Sequence, residues 1–325
     1  MNPSLAAVVM AAGLGTRMRS ERPKHLHPLL ERRLLDWSIA PVLPLRPSPL
    51  VVVCSPGTKD ELDGTLPPGA KLVVQQEPRG TGDAVAAARA ALEGFDGDVF
   101  VLDGAAPLLT GELLQALLEE HRKTGASVTV LTIEPDEPLP YGRIVRDEDG
   151  ALRAIVEEKD ASPEERSIRE LNTSIYVFRA ADLWPALQAL DPANAQGELY
   201  LTDAVRNLVE AGRGGAVYCA PVADMGLGVN TRAELAEAAS ELRRRIVEEH
   251  MAAGVAVVDP ATTWIGPDVV IEAEAVIQPF TILQGKSVVR AGAEIGPHAV
   301  VMDCEVAAGE VVPPFTHLRP GGAKA

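Results

Sequence analysis

Between residues 265 and 301 one periodicity overrides every other signal in the sequence. Ile265, Ile271, Ile277, Leu283, Val289, Ile295 and Val301 recur every six residues without a break. Four positions after most of them stands a smaller or shorter residue: Val269, Ala275, Thr281, Ser287, Ala293 and Ala299. Neither the 3.6-residue period of a helix nor the two-residue period of a single strand produces this spacing. Coils of three hexads, each turning its aliphatic residue inward, do produce it, so the pattern predicts a parallel β-helix. Residues 265–318 are long enough for about three such coils.

Ahead of this region the pattern is different. Residues 5–12, 50–54, 71–75, 99–102 and 127–133 are short apolar or β-branched runs that read as strands. Between them, 83–93 is alanine-rich and helical, and 112–123 carries Leu113, Leu114, Leu117 and Leu118 at helical spacing. Strands alternating with helices predict a mostly parallel, doubly wound α/β sheet covered on both faces. Ligands of such sheets bind beyond the carboxyl ends of the strands. Residues 231–253 read as one long helix, with Thr231 available to cap it, charges along its outer face and Gly254 at its end. The expected organisation is a domain over 1–230, a connecting helix over 231–254 and a hexapeptide-repeat β-helix over 255–325.

The 325 residues carry a formal charge of −16, which excludes nucleic acid and anionic membrane as general partners, since both demand a basic face. Cys54, Cys219 and Cys304 are too few and too scattered for a disulfide framework or a zinc site. The N-terminus shows no basic segment leading into an apolar core and cleavage site, and no apolar run reaches membrane-spanning length. A soluble, cytoplasmic setting is therefore expected. An acidic chain that binds an anion must gather its positive charge locally. Residues 17–33 do so, with Arg17, Arg19, Arg22, Lys24, Arg32 and Arg33 against Glu21 and Glu31. They follow the first apolar run and the turn Gly13-Leu14-Gly15-Thr16-Arg17. Two glycines let the backbone turn sharply and bring amides close to a phosphate. Arg17 adds a planar fork and Lys24 a compact point charge. No Gly-Lys-Ser/Thr follows, so this is not a Walker loop, and Met18 replaces the third glycine of the dinucleotide fingerprint. An ordinary strand and turn with solvated basic residues is the plain alternative.

Residues 5–24 resemble the nucleotide-binding loop of sugar-1-phosphate nucleotidylyltransferases, Ala-Ala-Gly-x-Gly-Thr-Arg-Met followed by Pro-Lys. With the β-helix behind it, the chain resembles one family over nearly its full length. That family is the bifunctional N-acetylglucosamine-1-phosphate uridyltransferase/glucosamine-1-phosphate acetyltransferases of bacterial cell-wall peptidoglycan synthesis. Residues 75–82, Gln-Gln-Glu-Pro-Arg-Gly-Thr-Gly, are similar to its uracil loop. The resemblance implies that the Gln75 amide reads the base edge, that Gly80 lets the backbone approach the ring, and that Thr81 lies beside them. Residues 141–145 and 155–160 resemble the sugar-site segments, implying contacts from Gly142 and Glu157. Residues 171–176, Leu-Asn-Thr-Ser-Ile-Tyr, imply Asn172 at a sugar hydroxyl, and 194–203 match the family's segment that includes Thr202. Met10, Ala11, Ala12 and Gly13 are implied as further substrate contacts.

The fold so implied is a Rossmann-like doubly wound nucleotidyltransferase domain followed by a short left-handed parallel β-helix. The reaction implied is attack of a sugar 1-phosphate on the α-phosphorus of UTP with release of pyrophosphate. Arg17 and Lys24 would neutralise the phosphates, and Mg2+ would bridge them. In the family the ion is held by an aspartate in Gly-Asp-x-Pro-Leu and an asparagine in Gly-Val-Asn. Asn230 of Gly228-Val229-Asn230 inherits the second role. Residues 102–109 read Leu-Asp-Gly-Ala-Ala-Pro-Leu-Leu, so Ala105, after Gly104, stands where the aspartate belongs. Asp103 lies two residues earlier, about 6–7 Å away along an extended strand, too far to replace it directly in an unchanged site though a bridging water could help, so it stands as a weak metal ligand and, with Gly104, as a substrate contact. Ser174 likewise stands in place of the usual glycine. Ala105 predicts weakened catalysis, in a diverged relative or as an engineered replacement; both readings stand at this point. A homotrimer through the β-helix is expected by analogy. The family's acetyl-CoA site lies in coils beyond residue 325, so no acetyltransferase activity is expected, and His298 and His317 read as surface residues. Two alternatives accompany this reading: a relative using another sugar or nucleotide, and a non-catalytic nucleotide-sugar-binding or assembly protein, for which Ala105 is the main argument.

Overall fold

The first apolar run forms the strand Ser4–Ala11, which lies inside a large sheet of the computed structural model. That structure describes residues 4–137 and 139–324. They fall into two units, one of residues up to His27 with Leu34–Thr231, the other of Pro28–Arg33 with Arg232 onward.

In the first unit the sheet runs Gly215–Cys219, Val128–Ile133, Leu171–Arg179, Gly97–Asp103, Ser4–Ala11, Leu50–Cys54, Lys71–Val74. Neighbours are parallel except for Leu171–Arg179, which is antiparallel to the strands on either side of it. Along Ser4–Ala11, Ala6, Val8 and Met10 enter one hydrophobic cluster, while Ala7, Val9 and Ala11 enter another. A strand covered on both faces has no polar side to present, which is why its sequence is apolar without alternation. The first cluster is closed by the helices Thr81–Ala87, Ala180–Gln188 and Leu201–Glu210, the second by Leu34–Ile39 and Gly111–Thr124. Gly111–Thr124 starts where Thr110 Oγ1 accepts the Leu113 amide at 3.2 Å and stops at Gly125, φ 65°. The helix expected over 83–93 is shorter than its alanines suggest. It is α-helical over Thr81–Ala87 and continues as the tighter 3₁₀ turn Arg89–Leu92.

In the second unit the helix Arg232–Ala252 buries Ala238, Leu242 and Val247. The repeats beyond it form a short left-handed parallel β-helix. Ile265 pairs with Leu283, Leu283 with Val301 and Val301 with Leu318, and the other two faces stack in the same way. Every inward aliphatic residue of the hexads is buried, as are Ala275, Thr281, Ser287, Ala293 and Ala299. The two hydroxyls among them are satisfied by coil carbonyls, Thr281 on Gln278 at 2.7 Å and Ser287 on Gln284 at 2.6 Å. The period shortens once, from Val301 to Val306, and the last register is offset by one residue. An additional strand, Ala256–Val257, pairs with Val276–Ile277 before the first recognised hexad. His298 is a surface residue, as expected, stacked between Phe280 and Phe315 at 4.7 and 4.9 Å in a ladder along one coil corner.

The hairpin Pro28–Leu29 with Arg32–Arg33 also belongs to the second unit. There Arg32 pairs with Asp268 at 2.6 Å, and Glu31 accepts the Gly285 amide at 2.8 Å. Arg32, counted above in one phosphate-binding cluster, is thus committed to a carboxylate of the β-helix. Among the described residues no helix is long and apolar enough to cross a membrane, and all three cysteines are free thiols.

Candidate active site

The Ser4–Ala11 and Gly97–Asp103 strands are in register, Met10 opposite Asp103, so both deliver their following turns to one level. After the first, Gly15 adopts φ 62°, and a Cβ there would stand 2.5 Å from Lys24 Cβ. Only glycine allows that approach. The 3₁₀ turn Thr16–Met18 buries Met18 and leaves Arg17 exposed. Lys24, though charged, is 9% exposed, and its Nζ donates to Asn230 Oδ1 at 3.2 Å. Met10, Ala11 and Ala12 are buried in the core, so only their backbone could meet a ligand; Gly13 is exposed.

His25, which sequence reasoning passed over, packs its ring beneath both turns. Its carbons lie 4.0 and 3.2 Å from where Cβ atoms on Gly13 and Gly104 would stand. Burial, and then the charge of Lys24, hold its pKa well below the usual imidazole range. The only hint in the sequence was its place beside Lys24.

The second turn follows Asp103. Gly104 donates its amide to Met10 O at 2.9 Å, and a Cβ on it would meet that oxygen at 2.7 Å. Asp103 Oδ1 accepts the Ala105 amide at 3.0 Å. Ala105 itself is fully buried, and its carbonyl accepts the Val229 amide at 2.7 Å. Tyr141 Oη seats the Gly228 carbonyl and amide at 3.1 and 3.2 Å. The Gly228-Val229-Asn230 turn is therefore locked against the end of the Gly97–Asp103 strand, with Lys24 closing it.

A second set gathers Gly142, Glu157, Asn172 and Thr202. Asn172 donates its amide to Gly142 O at 2.8 Å, and a Cβ on Gly142 would lie 3.5 Å from Glu157 Oε2. Thr202 Oγ1 donates to Glu157 Oε1 at 3.1 Å. Asn172 is aimed by a bulge: its pairing with Thr132 is followed by Tyr176 with Val130. Ser174, at φ 61°, turns the chain there, where a glycine would do so without strain. Its amide donates to Asn172 Oδ1 at 3.1 Å, and Asn172 Nδ2 donates to Tyr176 Oη at 2.9 Å. Burial raises the Glu157 carboxyl above its ordinary range, and nearby Asp160, Asp203 and Glu198 push the same way, against the Thr202 hydrogen bond. Burial raises the Tyr176 phenol, with the charges of Glu157 and Asp103 adding to it.

The third set is the loop after Lys71–Val74. Gln75 is buried, and its Nε2 donates to Gly80 O at 3.2 Å and Asp83 Oδ2 at 2.7 Å. Its amide hydrogens are thus spent on neighbouring residues. Thr81 Oγ1 accepts the Leu201 amide at 3.0 Å. Residues 199–202 join the second and third sets, since Leu199 packs on Gly80 while Thr202 holds Glu157. Arg17 is the one expected catalytic residue that none of these contacts draws in.

Among the described residues, no three of His, Cys, Asp and Glu gather as a metal cluster. A cation here would be held by few protein atoms. Asp103 and Asn230 both close on Gly228, and they offer a carboxylate and an amide oxygen. That donor set fits magnesium, which favours hard oxygens and keeps water and phosphate in its shell.

Residues 7–244 match the MobA-like NTP transferase domain family, a span that contains all three sets. The bifunctional protein GlmU of Corynebacterium efficiens is 42% identical over 341 residues, covering 98% of this chain and 70% of that protein. The GlmU of Mycolicibacterium gilvum is 43% identical over 98% of this chain and 68% of its own length. That of Mycobacterium tuberculosis is 42% identical, with 98% and 69% covered. The chain belongs to the GlmU family. Its first unit is a nucleotidyltransferase domain of the sugar-1-phosphate type.

Proposed function

We propose that the chain transfers the uridylyl group of UTP to N-acetylglucosamine 1-phosphate, giving UDP-N-acetylglucosamine and pyrophosphate, with magnesium as cofactor. The observation that carries this reading is the linkage of a phosphate-side set, a base-side loop and a polar sugar-side set within one unit. A phosphate oxygen of the sugar 1-phosphate attacks the α-phosphorus. The bond from that phosphorus to the oxygen bridging to the β-phosphate breaks, and its electron pair leaves with pyrophosphate.

Such a transfer asks little covalent work of the protein; positioning and charge neutralisation carry it. Lys24, already fixed on Asn230, and Arg17, on its exposed turn, neutralise the triphosphate and the departing pyrophosphate. The amide oxygen of Gln75 accepts the N3–H of uracil, a donor that cytosine lacks, which favours UTP over CTP. Glu157, oriented by Thr202, and Asn172, oriented by Ser174 and Tyr176, hold sugar hydroxyls or the acetamido group. Asn230 would hold a magnesium ion, which when bound would supply charge stabilisation to the transfer. On the family motif alone, Ala105 removes an anionic ligand and weakens catalysis.

Pyrophosphate release tests this directly, with UTP, CTP, ATP and dTTP each paired with N-acetylglucosamine, glucosamine and glucose 1-phosphates. UTP with N-acetylglucosamine 1-phosphate is expected to turn over fastest. A faster different pair moves the assignment to a sister activity. Tight binding of UDP-N-acetylglucosamine with no turnover of any pair favours the non-catalytic reading, for which Ala105 speaks.

We further infer a homotrimer through residues 265–318. The exposed Val270 and Val311 are better covered by association than left in water. Sedimentation at micromolar concentration is expected to give a trimer. A stable monomer there removes the proposal, whereas a monomer seen only after deletion of those residues supports it.

A further inference from the structure

The geometry points to Asp103 as the carboxylate that takes the divalent cation in this chain, two positions upstream of the family's aspartate; the assignment rests on the nucleotidyl-transfer reading above. The separation of about 6–7 Å assumed an extended backbone through Ala105. The strand instead ends at Asp103, and Gly104 and Ala105 form a turn pinned by the bond from the Gly104 amide to Met10 O. In that turn the Asp103 side chain bends back, its Oδ1 on the Ala105 amide at 3.0 Å. Its head group therefore lies beside the residue whose side chain the motif would have used.

The other oxygen, Oδ2, takes no hydrogen bond from any described residue. It faces Gly228, 3.0 Å from where a Cβ would stand. Any larger residue at 228 would crowd it. Asn230 closes on the same glycine, its Nδ2 donating to Gly228 O at 3.4 Å, and Lys24 holds its oxygen at 3.2 Å. The bond from the Val229 amide to Ala105 O, 2.7 Å, ties the two turns into one frame. A carboxylate oxygen and an amide oxygen on one rigid frame, completed by phosphate and water, suit a small hard cation.

Ala105 is part of the same arrangement. It is fully buried, and its backbone amide already holds Asp103 Oδ1 at 3.0 Å, so a second carboxylate at this position would add a like charge near the first. Asp103 and Ala105 together supply one carboxylate, as the family motif does, from a different backbone position. Asp103 is then a residue that touches the reacting phosphates through their cation, and Ala105 is what makes room for it.

Manganese is a suitable probe, because its electron paramagnetic resonance signal reports binding without turnover. Mn2+ is titrated into the full chain with UTP and no acceptor, for the unaltered protein and for Asp103→Asn. Asparagine keeps an oxygen to accept the Ala105 amide, so the turn is retained, and a thermal scan checks folding. If that variant does not fold, Asp103→Ser, whose hydroxyl can also accept the amide, replaces it. Manganese affinity is expected to fall at least about tenfold, the scale lost when even an outer-shell partner is removed, while metal-free UTP affinity stays close to the original. Unchanged manganese affinity in a folded variant overturns the assignment. If the unaltered protein releases pyrophosphate while Asp103→Asn is indifferent, the assignment alone falls. If the unaltered protein binds no manganese in the presence of UTP, the assignment falls together with the nucleotidyl-transfer reading.

Discussion

Replacing Lys24 by alanine is expected to lower kcat/KM for UTP by about two to three orders of magnitude, the effect of removing one preorganised donor to developing charge. The side chain is not a solvated lysine awaiting a ligand. It is buried, its Cβ is packed against Gly15, and its ammonium rests on Asn230. Part of the entropy of fixing a long cation has therefore been spent before UTP arrives. In a chain of formal charge −16, no diffuse positive field can compensate for its loss. Arg17 provides the contrast, since it is exposed. Arg17→Ala should weaken UTP binding at low salt, with the difference disappearing toward 1 M, where the Debye length is about 3 Å. The Lys24→Ala deficit should shrink over the same range but persist. Calorimetry that finds UTP affinity unaltered by Lys24→Ala at low salt would take this loop out of the phosphate site.

Features set by local periodicity were legible in the sequence. Each inward residue of the hexads depends only on its own place in the coil, so the seven aliphatic positions named from spacing are all buried. The sheet was equally readable, because strands buried on both faces write themselves as apolar runs. What was not legible depends on partners far away in the chain. Asn230 meets Lys24 across 206 positions, and no local signal announces that pairing. The hairpin at Pro28–Arg33 was read as part of the basic loop because it is adjacent in sequence, yet its arginine answers Asp268. Asp103 was placed by an extended rise that ends one residue too soon. The family resemblance assigns Gln75 to the base edge, but no local signal shows that its Nε2 is committed to Gly80 O and Asp83 Oδ2. Ser174 was noticed as an exception, and its φ of 61° accounts for why a glycine would suit the position.

Gly80→Ala is expected to be the most damaging single methyl that can be added to residues 75–82, the loop proposed to read the base. Gly80 has φ 115° and ψ 175°, a region essentially reserved to glycine, which alone costs about 1–3 kcal/mol for any other residue. A Cβ there would also stand 2.5, 2.8 and 3.0 Å from the O, N and C atoms of Leu199. Those are backbone atoms and cannot rotate away. They are held in turn, the Leu199 amide on Arg79 O at 2.7 Å and the Leu199 carbonyl by the Gly82 amide at 2.8 Å. Separating the two segments of this junction gives up both bonds, at about 1 kcal/mol each. Together the two terms predict a loss of about 3–5 kcal/mol, or roughly 10 °C in melting temperature for a unit of this size. Because residues 199–202 also carry Thr202 to Glu157, the damage should spread from UTP selectivity to the KM for the sugar phosphate. Gly64 supplies the control: its φ is 71°, and a Cβ on it would have nothing within 4 Å. Gly64→Ala should therefore show backbone strain alone, about 1 kcal/mol and a few degrees. Melting temperatures that fall equally for the two variants would mean that the approach of Leu199 to Gly80 contributes nothing, and that the base loop is held by other contacts.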